Sequence, residues 1–229
     1  MGRPVELFRI QFIETLPKTP FSRYSSIMRK SKYILLFLLL IAHFQSSAQN
    51  YARNLNRERS TAKIELTQGD RAPLKSEDLI YVRHFQPDST WVLDGEVQFH
   101  SDTTSIPFAT SSGKTKYFEK RAIIRFTRGM ETFELTAYRN IQYRRKPEFE
   151  SSLFIPFTDR SNGNKTYEGG RYLDISAEDI KEDKIRIDFN LCYNPYCAYS
   201  TGYNCPVPPA KNRLTIEIPV GEQAFLKPH

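Results

Sequence analysis

The sequence predicts a mainly β domain, an antiparallel sandwich or barrel-like sheet with an N-terminal helical segment. Three observations carry that reading. From about residue 80 onward, short runs alternate apolar and polar side chains, the period of a strand with one buried face. Stretches rich in Gly, Asn, Asp and Pro, such as TDRSNGNKTYEGG, separate those runs and supply turn chemistry. Ahead of them, residues 49–66 are polar, with Tyr51, Leu55, Ala62 and Leu66 loosely spaced for a helix. Nothing alternates helix with strand as a doubly wound α/β fold would. No internal repeat suggests a solenoid.

Taken in order, the helical segment should turn Arg57, Glu58 and Arg59 outward. Ser76-Glu77-Asp78-Leu79 reads as a capped helix start or a short turn. Trp91–His100 alternates around Asp94-Gly95, a hairpin or bulge signal. Thr104–Thr110 contains Pro107, which cannot donate to a ladder and so favours an edge. Ala122–Thr127 and Thr132–Tyr138 flank Arg128-Gly129-Met130. Ile124, Phe126, Phe133, Leu135 and Ala137 fall at period two there, which makes this the clearest hairpin in the chain. Ile141–Arg145, Leu153–Phe157, Lys184–Phe189 and Arg213–Ile218 complete the expected strands.

The first 48 residues read as processing rather than structure. Met28 is followed by Arg29, Lys30 and Lys32, then by an apolar run from Tyr33 to Phe44 and by SSAQ. That is a basic flank, an apolar segment of secretory length and a small-residue cleavage rule. The run is shorter than the roughly 20 residues a membrane span needs. A retained anchor is the alternative. Residues 1–27 then look like an over-called start, and the domain is 49–229, secreted or periplasmic, with no transmembrane span after cleavage.

The leader also explains the charge. The chain carries 33 basic and 26 acidic residues, a net +7. Residues 1–48 hold seven of the basic and two of the acidic ones, which leaves a net charge of +2 for the rest. Arg144, Arg145 and Lys146 form a small basic spot, more consistent with a solvated face than with a nucleic-acid footprint. No nucleic-acid partner is expected.

The densest chemistry lies between Asp188 and Leu214, which contains all three cysteines and four of the 14 prolines. Prolines remove backbone donors and asparagines favour turns, so this is a long loop that something must hold in shape. Cys197 and Cys205 stand eight apart with Gly202 between them. In an oxidising compartment a disulfide is the plain reading. Buried thiols, a metal site and a catalytic thiol are the alternatives, although no histidine lies near the cysteines and no Cys-x-x-Cys is present.

Around this loop stand Arg171, Tyr172, Asp174, Asp188, Asn190, Tyr193, Asn194 and Asn212. An arginine amid carboxylates, amides and phenols can form a pocket for a small anionic or hydroxylated ligand. The same residues can instead be a buried lattice that satisfies loop backbone. Arg171, after Gly169-Gly170, is expected to meet Asp174 or Asp188 at the edge of a pocket formed with Asn194. The chain lacks a Gly-x-Ser-x-Gly elbow, a His-Glu-x-x-His helix, a P-loop and a Rossmann glycine pattern. No cofactor or metal is expected.

The blocks LNRERS (55–60), RHFQPDSTWVL (83–93), FIPFTDRSNGNKTYEGGRYLD (154–174) and DFNLCYNPYCAYSTGYNCPVPPAKNRL (188–214) resemble the domain of unknown function 1684 family, in order over about residues 50–225. The resemblance implies an exported protein of the Bacteroidetes type and brings no activity. Cys192 stands where the family usually has a small residue, which makes it incidental to any shared chemistry. The leading reading is a small-ligand-binding module with a polar pocket near the 188–214 loop. A hydrolase-like enzyme using acidic residues of that cluster, or a structural envelope protein, are the alternatives.

Overall fold

The computed structural model describes residues 20–102, 104–143 and 146–227. The chain divides into two compact units, Met1–Ser47 and Ala48–His229. The upstream part of the over-called start, residues 1–19, and Arg144 and Arg145 of the basic spot lie outside the described residues. Helix α1 is Pro20–Glu65, and the expected leader from Met28 falls within it. Among the described residues no helix is long and apolar enough to cross a membrane.

The second unit is a mainly antiparallel sheet that curls into a half-barrel. Its strands are β1 (Val92–Phe99), β2 (Ser105–Ala109), β3 (Thr115–Arg128), β4 (Glu131–Asn140), β5 (Ser152–Phe157), β6 (Arg171–Ser176) and β7 (Lys184–Asp188). Their order is β6-β5-β4-β3-β1-β7, with β2 paired to β3. The β3–β4 hairpin closes at Gly129, whose φ of +64° suits the left-handed turn a two-residue hairpin needs. β2, with its proline, pairs with β3 alone among the strands, as an edge strand should, and its last carbonyl, of Ala109, accepts the Val207 N–H.

Four expectations are corrected. Asp94-Gly95 is neither hairpin nor bulge: β1 runs straight through, pairing Gly95 with Phe126 and with Ile185. A Cβ on Gly95 would come within 2.9 Å of Ile124, so this glycine serves close packing between strands. Ile141–Tyr143 is a single 3₁₀ turn. Residues 213–218 form no strand; they touch Thr158 through an isolated parallel bridge. Arg59 does not face outward. It is buried, and its guanidinium donates to the carbonyls of Phe85 at 2.8 Å and Asn190 at 2.9 Å.

That last correction explains how α1 docks. Tyr51, Leu55, Arg59 and Lys63 recur every four residues and so share one face. The Tyr51 hydroxyl donates to Asp188, Leu55 is buried, and Lys63 donates to the Val82 carbonyl. The face reads as polar in sequence because, Leu55 apart, its contacts are hydrogen bonds to backbone carbonyls and to the Asp188 carboxylate.

Period two sorts the sheet residues onto two faces. Leu135 and Ala137 of β4, Leu153, Ile155 and Phe157 of β5, and Leu173 of β6 join one core cluster with Leu214, Ile218 and Val220 of the C-terminal segment. The alternate residues face the other way. Phe118, Tyr138 and Phe154 form a second, aromatic cluster with Phe108.

The β4–β5 ladder itself is nearly absent, since only Tyr138 pairs with Phe154. By that register Thr136 would face Pro156, which has no N–H to give. The carboxamide of Asn212 enters instead. Its Nδ2 donates to the carbonyls of Thr136 and Pro156, each at 2.8 Å, and its Oδ1 accepts the Thr136 N–H at 2.8 Å. One side chain replaces the peptide that proline disables.

Candidate functional site

Each expected site residue has a definite place. Arg171 opens β6 on the core face and is wholly buried. Gly170 precedes it at φ +88°, where a Cβ would lie 2.5 Å from the Phe157 carbonyl, so the strand can start only from a glycine. The Arg171 guanidinium pairs with Asp159 at 2.9 Å. It also donates to the carbonyls of Ile218, Val220 and Glu222. The carboxylate is therefore Asp159 and not Asp174 or Asp188. The three carbonyls belong to a tail that forms no strand, and a buried carbonyl needs a donor. Arg171 supplies it for three alternate residues.

Asp188 ends β7, on the opposite edge of the sheet order from β6. Its carboxylate accepts the Asn190 N–H and amide as well as the Tyr51 hydroxyl. The Asn190 amide in turn pairs with both backbone groups of Asp88, at 2.9 Å and 2.8 Å. Asn190 and Asn212 thus do the same thing, presenting an N–H and a C=O where a neighbouring strand would have done so.

The chain then crosses toward β6. Tyr193 and Tyr172 exchange backbone hydrogen bonds at 2.9 Å and 3.0 Å. The Asn194 N–H donates to the Glu222 carboxylate and its amide to the Gln223 carbonyl. Cys197 and Cys205 form a disulfide, and Cys192 is free and buried. Burial pushes the Cys192 thiol up to about 12, which leaves it an inert core residue.

Tyr172 and Asp174 alternate with Arg171 and so point to the other face. They line a cavity of about 640 Å³ between the sheet and the 193–206 loop. Each of four strands gives this cavity an i, i+2 pair: Lys116 and Phe118, Tyr138 and Asn140, Ser152 and Phe154, Tyr172 and Asp174. The loop adds Tyr193, Tyr196 and Tyr203, and the disulfide holds that loop in place. Ring contacts join the wall: Phe118 stacks on Phe154 at 5.6 Å, Phe154 meets Tyr172 edge-on at 4.7 Å, and Tyr172 meets Tyr193 at 5.8 Å.

The Tyr193 hydroxyl donates to Asp174 Oδ2 at 2.6 Å. Asp174 has surface open to the cavity, yet the protein crowded around it raises its carboxyl, and the Tyr193 hydrogen bond opposes that rise. Burial, then the Asp174 carboxylate, pushes the Tyr193 phenol well above its usual range, so it stays a hydroxyl donor. Lys116 is half-buried, and burial lowers its ammonium.

A second cavity of about 380 Å³ lies behind this wall, sharing Asp174, Tyr193, Asn194 and Tyr196 with the first. Here Glu222 accepts from the Tyr199 hydroxyl and the Asn194 N–H. Burial pushes its carboxyl up to about 7 against those hydrogen bonds. His84 lines the same space, and burial, reinforced by Arg59 and Lys63, pushes it down to about 4.

The family model described as "Protein of unknown function (DUF1684)" matches residues 78–223, the sheet and both loops that wall the cavity. The chain belongs to this family. A solution NMR structure of an uncharacterized protein from Haloarcula marismortui superimposes with a TM-score of 0.61 at 28% identity, covering 80% of this chain and 98% of that one. No curated protein matches the chain. Within this DUF1684 domain, Arg171, Asp188, Asn190 and Asn212 are committed to backbone and to Asp159, whereas Tyr172, Asp174, Tyr193 and Asn194 border the cavity. Sequence reading missed Phe118, Tyr138 and Phe154 because aromatic strand residues look like core, and Lys116 because a strand lysine looks like a solvated residue. Phase was an available signal for Tyr138 and Phe154, which alternate with Leu135 and Ala137 and with Leu153 and Ile155, but not for Lys116 and Phe118, which share the period of Ala122 and Ile124 and are turned to the other face by the bulge between Lys120 and Ala122.

Proposed function

We propose that this domain is an exported small-ligand-binding module whose site is the aromatic cavity between β3–β6 and the 193–206 loop. One observation carries the binding reading: four strands and a disulfide-tied loop converge aromatic side chains on one concave space, with charged groups and amides set among the rings. Ligand sites have that composition. Among the described residues lining the cavity Asp174 is the sole carboxylate. A hydrolase with paired acids would need a second one there, so binding is better supported than hydrolysis.

The test is ligand-observed NMR with a library of small cyclic compounds. Compounds should bind the wild type and be lost from Ser152→Trp, which fills the cavity from a half-buried position, while the melting curve stays unchanged. Binding that survives Ser152→Trp would remove the cavity from consideration.

Export is supported by the basic flank and apolar run at 28–44. Intact mass of protein recovered from the cell envelope should place Gln49 at the N-terminus. Retention of residues 29–48 would favour an anchor instead.

A further inference from the structure

Lys116 is the group the rest of the fold leaves unexplained. It sits on β3 two residues before Phe118, so the two share a face, and both line the aromatic cavity. It is opposite Phe108 in the β2–β3 register, beside the Phe108–Phe118–Tyr138 ring cluster. Among the described residues it has no ion pair and no hydrogen bond. Of the half-buried lysines, Lys63 donates to the Val82 carbonyl, Lys120 like Lys116 has no side-chain partner among the described residues, and of the three Lys116 alone lines the aromatic cavity. An ammonium held half out of water against aromatic walls, with no acceptor, is a cost the fold bears without return.

The opposite end of the cavity has the complementary feature. Asp174 stands on β6, three strands away through β4 and β5. Its Oδ2 takes the Tyr193 hydroxyl, which leaves Oδ1 without a hydrogen-bond donor among the described residues. Between the two ends lie the rings of Phe118, Phe154 and Tyr172, with Phe118 of β3 reaching across β4 to Phe154 of β5 and Phe154 meeting Tyr172 of β6. Three cations line the cavity, and two are engaged: Arg71 lies over the Tyr203 ring and donates to the Gly202 carbonyl, and Arg139 donates to the Glu150 carbonyl, which leaves Lys116 as the cation without a partner, with ring faces between it and Asp174.

Resting on the binding reading above, we infer that the ligand is a ring compound carrying a carboxylate at one end and a hydroxyl at the other, with the carboxylate on Lys116 and the hydroxyl donating to Asp174. The aromatic walls take the ring face, which can be a planar aromatic or the C–H face of a sugar. Lys116 gives a charge-assisted hydrogen bond in a partly dry space, where such a bond is worth more than in water. A ligand anion would also restore the ammonium that burial disfavours.

The experiment is isothermal titration of the 49–229 protein, purified from the full chain after processing or cleavage, with two matched pairs. One is 4-hydroxybenzoate against phenol. The other is D-glucuronate against D-glucose. The same titrations are repeated on Lys116→Met and on Asp174→Asn. The inference expects one acid to bind at least tenfold tighter than its neutral partner, and that preference to vanish in Lys116→Met. It expects Asp174→Asn to weaken the acid and the neutral partner alike. Which pair responds separates an aromatic acid from a sugar acid. Equal binding of acid and neutral probes, unaffected by Lys116→Met but lost in Ser152→Trp, would overturn the carboxylate inference and leave the cavity as the site. Binding by none of the four probes would overturn the inference, while the cyclic-compound library decides separately whether the cavity binds anything.

Discussion

Arg171 and Tyr172 are neighbours in sequence and serve opposite faces of one strand. On the Arg171 side both terminal nitrogens of the guanidinium are matched, by an ion pair with Asp159 and by three tail carbonyls, all shielded from water, and only Nε is left without an acceptor among the described residues. On the Tyr172 side the groups form a wall around a space, and Lys116 has no partner among the described residues. The comparison separates polar residues that complete a fold from polar residues that await something. Composition does not distinguish them, whereas the count of satisfied hydrogen bonds does.

The comparison breaks most readily at Arg171. Arg171→Met should lower unfolding free energy by about 3–5 kcal/mol, since it strands a buried Asp159 and three carbonyls. Chemical denaturation measures this. A loss below about 1 kcal/mol would mean that the tail is held by its apolar contacts alone and that the core face is less committed than its geometry implies.

The second cavity sharpens the contrast through pH. The Glu222 carboxyl is raised from 4.5 to about 7, so its contribution is present below pH 4.5 and is lost as pH rises to about 7. The size is about 3 kcal/mol at most. His84 is lowered from 6.5 to about 4, so its contribution is present above pH 6.5 and is lost as pH falls toward 4. Between pH 4.5 and 6.5 the two slopes oppose each other. Melting temperature in Glu222→Gln should therefore rise with pH across that window relative to wild type, and in His84→Gln it should fall. Variant curves parallel to the wild-type curve would show that neither group titrates as its burial requires.

Removing the disulfide in Cys197→Ser/Cys205→Ser should cost about 2.5 kcal/mol by loop-closure entropy for so short a loop. Proton exchange should quicken at 196–205 and not at 171–176. Uniform quickening across both segments would show that the cavity wall is not a separable unit.

The smallest effect belongs to the cavity face. Lys116→Met should change stability by no more than about 0.5 kcal/mol in either direction, because the unbranched stem is kept and no side-chain hydrogen bond or ion pair is lost. A large loss would reveal a structural role for the ammonium and weaken the ligand inference.

Much of the architecture was legible in the chain. Alternating apolar residues marked β3, β4, β5 and β7, Pro107 marked an edge, and Gly129 marked the hairpin turn. β6 was not legible, because its first residue is a buried arginine and its neighbours are glycines. Residues 213–218 were misread as a strand, because an apolar alternation shows which side chains are buried and not what satisfies the backbone. Here Arg171 and Asn212 satisfy it from outside any ladder.

By itself the sequence determined the local terms: strand phase, turn positions, the cysteine pair within reach of one bridge, and family membership through the blocks it carries. Tertiary structure decided the rest. It placed Arg171 with Asp159 rather than Asp174, turned Arg59 inward, and brought Lys116 and Asp174 to opposite ends of one cavity. The physical reason is that strand order and sheet curl set which residues meet across gaps of many positions, and a hydrogen bond acts only over about 3 Å. Spacing along the chain carries no record of those meetings.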